Sequence, residues 1–390
     1  MFQVQWLRYN RMQLRRTVLF IFGTRPEAIK LCPLLLKLRS FPELYSTKVC
    51  VTGQHRGMLD QVLTAFAVKP DYDLNVMTAG QTLFQSTARV IKALEQPFAA
   101  SKPDLAVVQG DTTTTLCGAL AAFYSGVPVA HVEAGLRTGD LHQPFPEELN
   151  RVLAARMTRL HFAATSSAAD NLRLEGISEN VWITGNTGID AVLHVRDRLE
   201  RGELTSSGSG FDHAGKRLIL VTAHRRESFG EGFQRICRAL AAIADRGDVH
   251  VVYPVHPNPN VQTAVREHLG SHPDITLTEP MDYVPFVDLM RRAYLILTDS
   301  GGIQEEGPSL GKPVLVLREK TERPEAIEAG TVKLVGTDPG RIVQETVTLL
   351  DCPDEYERMS RIHNPYGDGH ASERIEAAIR NWKDDWRVSR

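Results

Sequence analysis

The sequence contains no unbroken apolar run near the ~20 residues that a bilayer span requires. It also has no G-x-G-x-x-G between a strand and a helix, and no paired-cysteine spacing. Each absence removes a class of protein. Without a span, no membrane partner is expected. Without the glycine fingerprint, nothing marks a nicotinamide or flavin site. The five cysteines (Cys32, Cys50, Cys117, Cys237, Cys352) are odd in number and scattered through mostly apolar settings, as buried free thiols of a reducing cytoplasm would be. A net charge of −2 argues against general attraction to nucleic acid or anionic lipid, so any basic site must be local. His131-Val132-Glu133 lacks the P-C-x-x-C of a zinc deaminase, and no other cluster has metal spacing. Gly307 to Pro313 superficially resembles a P-loop, with the wrong spacing and a proline where Ser or Thr would hold Mg²⁺. The expectation is a cytoplasmic protein without cofactor or metal.

What is present is a repeated strand–loop–helix rhythm. A chain of 390 residues with 42% hydrophobic and 24% charged content is soluble, globular and too long for one ordinary core. Strand-like runs at 17–22, 47–52, 105–109, 127–132, 160–164 and 181–184 are separated by helix-length segments. Several are apolar without alternation, as strands covered on both faces are. After a Gly/Ser-rich loop at 202–216, the rhythm restarts at 218–222, 249–253, 275–278, 294–298, 314–317 and 332–335. This predicts two doubly wound, Rossmann-like domains with a cleft at the carboxyl ends of their strands. Residues 1–16 are expected to be a poorly ordered basic extension. The first domain spans 17–185 and the second 186–367. A helix over about 368–390 crosses back to the first domain, with Ile375, Ala378, Ile379, Trp382 and Trp386 on one face.

Polar clusters at strand ends outrank those elsewhere, because ligands bind there. In residues 294–326 an apolar run ends in Asp299-Ser300-Gly301-Gly302, passes into a short helix closed by Gly307-Pro308, and returns through a second run to Arg318 and Arg323. Glycines before a helix let an anion approach unpaired N–H groups, so the stretch reads either as a diphosphate cradle or as a plain turn. Gly23-Thr24-Arg25-Pro26-Glu27-Ala28-Ile29-Lys30 places two cations after the first strand, facing either an anion or solvent. Asp111 ends the third strand as either an N-cap or a catalyst. His131 and Glu133 share a face if their strand continues, with a buried paired histidine the simpler reading of His131. His224, Arg225 and Arg226 at one strand end favour an anionic ligand.

Taken together, GTRPEAIK (23–30), GDTTTT (110–115), HVEAGLRTGD (131–140), PEE (146–148), HRRES (224–228), DSGGIQEE (299–306) and TERPEA (321–326) resemble the bacterial non-hydrolysing UDP-N-acetylglucosamine 2-epimerase family. The motifs run in family order from about Thr17 to Gly369. The resemblance implies a GT-B-like α/β fold, with two doubly wound Rossmann-like domains facing a central cleft. It implies interconversion of UDP-GlcNAc and UDP-ManNAc in a homodimer without a cofactor. By the same resemblance Asp111, Glu133, Glu147 and His224 form the catalytic acid/base group. Arg25 and Lys30 face the substrate, Ser300, Gly301 and Gly302 hold the diphosphate, and Glu306 takes the ribose. Phe286 lies by the uracil with Met281, where relatives carry glutamine, and Arg323 completes the pocket. Gln54, Arg225 and His256 would touch a second, activating UDP-GlcNAc.

Chemistry supports that group of residues. No carbonyl acidifies the C2 proton of an N-acetylhexosamine, so the diphosphate must leave C1 first. Departure needs pre-placed donors and cations, and proton traffic needs carboxylates. Three rivals share parts of the machinery: a hydrolysing epimerase, a glycosyltransferase of the same architecture, and a nucleotide-sugar-binding regulator without turnover.

Overall fold

The computed structural model describes residues 15–53, 56–76, 78, 80–206, 215–225, 229–361 and 363–383. Gln54, Arg226 and Trp386 lie outside these, as does the extension up to residue 14. Two compact units divide the chain. The first runs to Ala191 and regains Gly369 onward, and the second is Val192–Asp368. The division falls inside the helix Thr187–Glu200 rather than ahead of it at 185/186.

In the first unit the strands are β1 (Arg16–Phe22), β2 (Tyr45–Val51), β3 (Tyr72–Asp73), β4 (Leu105–Gln109), β5 (Val129–Val132), β6 (Leu160–Ala163) and β7 (Val181–Ile183). Their order is β3-β2-β1-β4-β5-β6-β7, and every pairing is parallel. Helices on both faces explain why Val18 to Phe22 is wholly buried and reads as continuous hydrophobe. β3, at two residues, is too short to leave a periodic signal. The second unit has β8 (Arg217–Thr222), β9 (Val249–Pro254), β10 (Ile275–Thr278), β11 (Leu295–Thr298), β12 (Val314–Val316) and β13 (Val332–Leu334). These are parallel in the order β10-β9-β8-β11-β12-β13. Each sheet therefore reverses its winding once, between β1 and β4 in the first and between β8 and β11 in the second. A doubly wound sheet opens a crevice for ligands at such a switch point.

Local chemistry sets the helix ends. Asp338 caps Pro339–Asp351 by accepting the Arg341 N–H at 2.8 Å. The helix Glu231–Ala244 buries Phe233, Ile236, Leu240 and Ile243, and the chain turns at Gly247 with φ +78°. One expected end moves. The helix after β11 runs Gly301–Ser309, through Gly307-Pro308, and the chain turns only at Gly311 (φ +69°). Gly307 serves close packing instead of termination, because a Cβ there would stand 2.8 Å from Val314 Cγ2.

The tail helix Ala371–Asn381 docks on the first unit through Ile375 and Ile379, both fully buried. Its own N-cap, His370, makes no side-chain cap. Asp190 supplies it instead, accepting the Ser372 N–H at 2.7 Å and the Ala371 N–H at 3.2 Å. Tyr45 donates to Glu376 at 2.9 Å. Arg16, expected to belong to a loose extension, opens β1 and donates to the Ile379 and Trp382 carbonyls.

Candidate active site

At the first switch point the turns after β1 and β4 carry the predicted groups. Thr24 and Glu27 form a capping box that starts the helix Arg25–Arg39. Arg25 and Lys30 both ride on this helix. Lys30 Nζ lies 2.6 Å from Glu133 Oε2, and Gln109 Nε2 donates to the same oxygen. Glu133 follows β5 at φ +63°, a left-handed conformation that costs a non-glycine residue roughly 1–2 kcal/mol. It has therefore left the strand and does not share a face with His131, as a continued strand would require. Such strain gathers at functional sites, where surrounding structure holds the residue in place. Among the described residues no ion pair or hydrogen bond engages the Arg25 side chain, which is half-buried at the helix start.

Asp111 is not an N-cap. Thr112 takes that role for Thr113–Tyr124, accepting the Thr115 N–H at 3.1 Å. Asp111 Oδ2 instead receives two N–H groups of Arg151, at 2.6 and 2.9 Å, and the Asp111 carbonyl accepts from Asn150 at 2.8 Å. Arg151 also donates to Glu148 at 2.9 Å. Burial alone would raise the Glu148 pKa. Arg151 and the backbone N–H groups of Gly139 and Thr138 outweigh burial and hold the carboxyl below its ordinary range. Glu147, one residue earlier, is half-buried at the start of the helix Glu147–Met157, and among the described residues its carboxylate has no partner. Of the two glutamates, Glu148 is the structural one and Glu147 is left available for a ligand.

His131 is the buried, paired histidine. Its Nε2 donates to the Gly110 carbonyl at 2.7 Å, fixing the turn that presents Asp111, and burial lowers its pKa. His161 lies beside it on β6, and burial with His131 nearby takes its pKa down to about 3.

At the second switch point the same two turns carry different chemistry. Asp299, fully buried, accepts the N–H of His224 at 2.6 Å and of Arg225 at 2.7 Å through one oxygen. His224 Nδ1 lies 3.3 Å from the other oxygen, close enough for attraction but out of line for a hydrogen bond, which leaves that oxygen without another partner among the described residues. The His224 ring stacks on His256 with centroids 5.1 Å apart and planes 9° from parallel. Burial lowers the His224 pKa, against the pull of Asp299 and with the help of His256 and Arg225. The Nε of Arg225 is buried without a partner among the described residues.

Ser300 starts Gly301–Ser309 without a side-chain cap, and among the described residues no acceptor takes the N–H of Gly301, Gly302 or Ile303. These are orphan donors at a positive helix end. The Arg323 guanidinium borders them, 3.7 Å from where a Cβ on Gly301 would stand, and is held by Glu305. Thr321 donates to Gln304 at 2.7 Å, so the segment carrying Arg323 is stitched to this helix. Glu306 Oε1 lies 3.9 Å from a Cβ position on Gly302. Met281 and Phe286 are half-buried on the segment after β10, and Phe286 sits in the helix Tyr283–Arg292, which packs against β8. This arrangement offers an anion three amides and a guanidinium. No group of three or more His, Cys, Asp or Glu among the described residues is arranged to hold a metal ion, and no helix among them is long and apolar enough to cross a membrane.

Three residues without a role assigned from the sequence organise these turns: Glu27, Arg151 and Asp299. The capping-box spacing Thr24-x-x-Glu27 signals the first, but nothing in local spacing signals the partners of the other two.

Comparison with known proteins agrees with this layout. The family model described as UDP-N-acetylglucosamine 2-epimerase matches residues 39–380. The UDP-N-acetylglucosamine 2-epimerase of Salmonella typhimurium is 55% identical over 372 residues, covering 94% of this chain and 99% of that protein. The protein of the same name from Escherichia coli is 55% identical over 371 residues, covering 93% and 98%. Among solved structures, the Neisseria meningitidis UDP-GlcNAc 2-epimerase bound to UDP-GlcNAc superposes with a TM-score of 0.84 at 46% identity, over 93% of this chain and 99% of that one. Two doubly wound parallel sheets, the ordered motifs at their switch points and this degree of identity lead to one conclusion: the chain belongs to the UDP-N-acetylglucosamine 2-epimerase family.

Proposed function

We propose that the protein interconverts UDP-GlcNAc and UDP-ManNAc in the cytoplasm by the non-hydrolysing route, for cell-surface polysaccharide precursors. Family membership supports the 2-epimerase activity and UDP-GlcNAc as substrate. The observation that carries the chemistry is the set of carboxylates on successive turns at the carboxyl end of the first sheet. Glu133 is held by Lys30 and Gln109, Asp111 by Arg151, and the Glu147 carboxylate has no partner among the described residues.

The C1–O bond breaks with its electron pair passing to the β-phosphate of UDP. The oxocarbenium character at C1 makes the C2 proton removable, a carboxylate takes it, and a C1=C2 bond forms, giving 2-acetamidoglucal and UDP. Re-addition of UDP at C1, with a proton delivered to the opposite face of C2, yields the epimer. Asp111, Glu133 and Glu147 carry the protons, each tuned by its own neighbours. The departing diphosphate is held by the free amides of Gly301 and Gly302 with Ser300, by Arg323 and His224, and by Arg25 and Lys30. Glu306 holds the ribose, and Phe286 and Met281 lie by the uracil. Gln54, Arg225 and His256 receive a second UDP-GlcNAc that activates the enzyme, which works as a homodimer.

The test is incubation with UDP-GlcNAc in D₂O, followed by NMR. Deuterium at C2 with UDP-ManNAc as product is expected. Accumulating free ManNAc would identify the hydrolysing reaction instead, and a C2 position without exchange would reject both epimerases. Activation predicts a reverse reaction that rises sigmoidally with UDP-GlcNAc; full reverse turnover from UDP-ManNAc alone would end that part of the proposal.

A further inference from the structure

A capping-box glutamate ordinarily serves its own helix from the protein surface. Glu27 does more than that. It is 1% exposed, and its carboxylate joins two turns that lie 85 residues apart in sequence. One oxygen accepts the N–H of Gly23 at 3.0 Å and of Thr24 at 2.7 Å, both in the turn after β1. The other accepts the Thr112 hydroxyl at 2.6 Å, in the turn after β4, with the Thr115 hydroxyl at 3.3 Å beyond it. Thr115 already donates to the Gln109 carbonyl at 2.6 Å, so Gly23, Thr24 and Thr112 are the firm donors. These two turns border the first switch point. One leads into the helix bearing Arg25 and Lys30, and the other presents Asp111.

We infer that Glu27 is a positioning residue for the proton chemistry at C2, a buried clasp that sets the Arg25–Lys30 helix against the Asp111 turn. The inference rests on the function proposed above. Glu27 touches none of the proposed catalytic side chains and acts through the backbone that carries them. An ionised carboxylate suits the position because all three firm partners are donors. Burial nonetheless raises its pKa, against the bonds from Thr112, Gly23 and Thr24 that lower it. A glutamine of the same shape keeps the acceptor for two amides but turns an N–H₂ toward Thr112, whose hydroxyl must rotate its proton away to accept it, so a short charge-assisted bond becomes a weaker neutral one and the clasp loosens on that side.

The test compares Glu27→Gln, Thr112→Val and Thr112→Ser with the wild-type protein, by UDP titration and by the rate of C2 deuterium exchange. Both Glu27→Gln and Thr112→Val are expected to bind UDP within about threefold of wild type, since most of the proposed UDP groups (Ser300, Gly301, Gly302, Glu306, Arg323 and His224) belong to the second unit and only Arg25 and Lys30 ride on the clasped helix. Their kcat for exchange falls at least ~10-fold while KM moves less than about threefold, as misplacement of catalytic groups does. Thr112→Ser, which retains the hydroxyl, stays near wild type. The double variant Glu27→Gln/Thr112→Val loses less than the product of the two single losses, because both act on the Glu27–Thr112 bond, while the valine also removes the cap on the Thr115 N–H. Wild-type exchange in folded Glu27→Gln overturns the inference, as does a loss of UDP affinity that matches the loss of kcat. If Glu27→Gln does not fold, the valine–serine pair decides: equal rates in those two overturn it. Wild-type protein that never exchanges C2 overturns the proposed function, and this inference with it.

Discussion

The two units share one winding scheme and differ in what stands at its point of reversal. In both, the first strand of the unit lies beside the fourth, and the two turns that follow them carry the candidate groups. In the first unit those turns and their neighbour after β5 hold carboxylates, each matched by a cation or amide: Glu133 by Lys30 and Gln109, Asp111 by Arg151. In the second unit they hold glycines, an uncapped helix start and His224, whose ring stacks on His256 from the turn after β9. The proposed function uses the first unit's switch point for proton exchange and the second unit's for an anion. A buried carboxylate clasps the paired turns in each. Glu27 reaches from the β1 side to a hydroxyl on the β4 side, and Asp299 reaches from the β11 side to two amides on the β8 side. The topology supplies the crevice, and the residues supply the chemistry.

Breaking the first half should cost the most. Asp111→Asn or Glu133→Gln is expected to slow C2 exchange by at least ~10²-fold, the usual worth of an acid/base group, with UDP titrating as in the wild type. Normal exchange in both would dissolve the division of labour. In the second half, Gly302→Ala separates binding from folding. Its Cβ meets nothing closer than Glu306 Oε1 at 3.9 Å, and the residue is helical, so stability should hold or rise by up to about 1 kcal/mol. The methyl nevertheless stands over amides that an anion must reach. UDP affinity should fall about 10-fold by calorimetry, which is about 1.4 kcal/mol. An unchanged affinity would remove the diphosphate from this helix end. Asp299→Asn, which retains an acceptor for the two amides, should raise KM for UDP-GlcNAc several-fold, roughly threefold to tenfold, through a displaced His224.

Acid tests the buried histidines of the first sheet. His131 and His161 are buried uncharged in the first sheet, with pKa values below the ordinary 6.5 and His161 down to about 3. The unfolded chain therefore binds their protons first. The His161 contribution is intact above about pH 6.5 and is lost as pH falls from there toward about 3, and the His131 contribution is lost in the same direction, by at most about 1.4 kcal/mol per pH unit for each histidine. Denaturant melts between pH 7 and 5 should show the decline, and His161→Gln should flatten it. An equally steep decline in that variant would absolve His161.

Much of the frame was legible in the sequence. Twelve apolar runs became twelve parallel strands within a residue or two of their expected ends, because a strand covered on both faces must be apolar throughout. Asp338-Pro339 announced its helix, since an N-cap oxygen and a proline act within one turn. β3 escaped notice at two residues, and Gly307-Pro308 suggested a helix end where Gly307 instead makes room for Val314. The candidate site was legible as a set of motifs but not as a set of contacts. PEE offers two adjacent glutamates, and only the fold shows that Glu148 is committed to Arg151 while Glu147 is not.

What the sequence determined by itself, then, was local or periodic: strand runs, helix stripes, caps, and the ordered motifs that mark the family. Tertiary structure decided which distant turns meet. It set the strand order that puts Gly23 to Arg25 beside Gly110 to Thr112, the burial of Glu27 between them, and the left-handed turn that takes Glu133 off its strand toward Lys30. It also aimed the Asp299 carboxylate at the backbone of His224 and Arg225. The reason is physical. Hydrophobic periodicity and capping act over a few residues along the chain, whereas a buried carboxylate is stable only where folding brings donors to it from elsewhere.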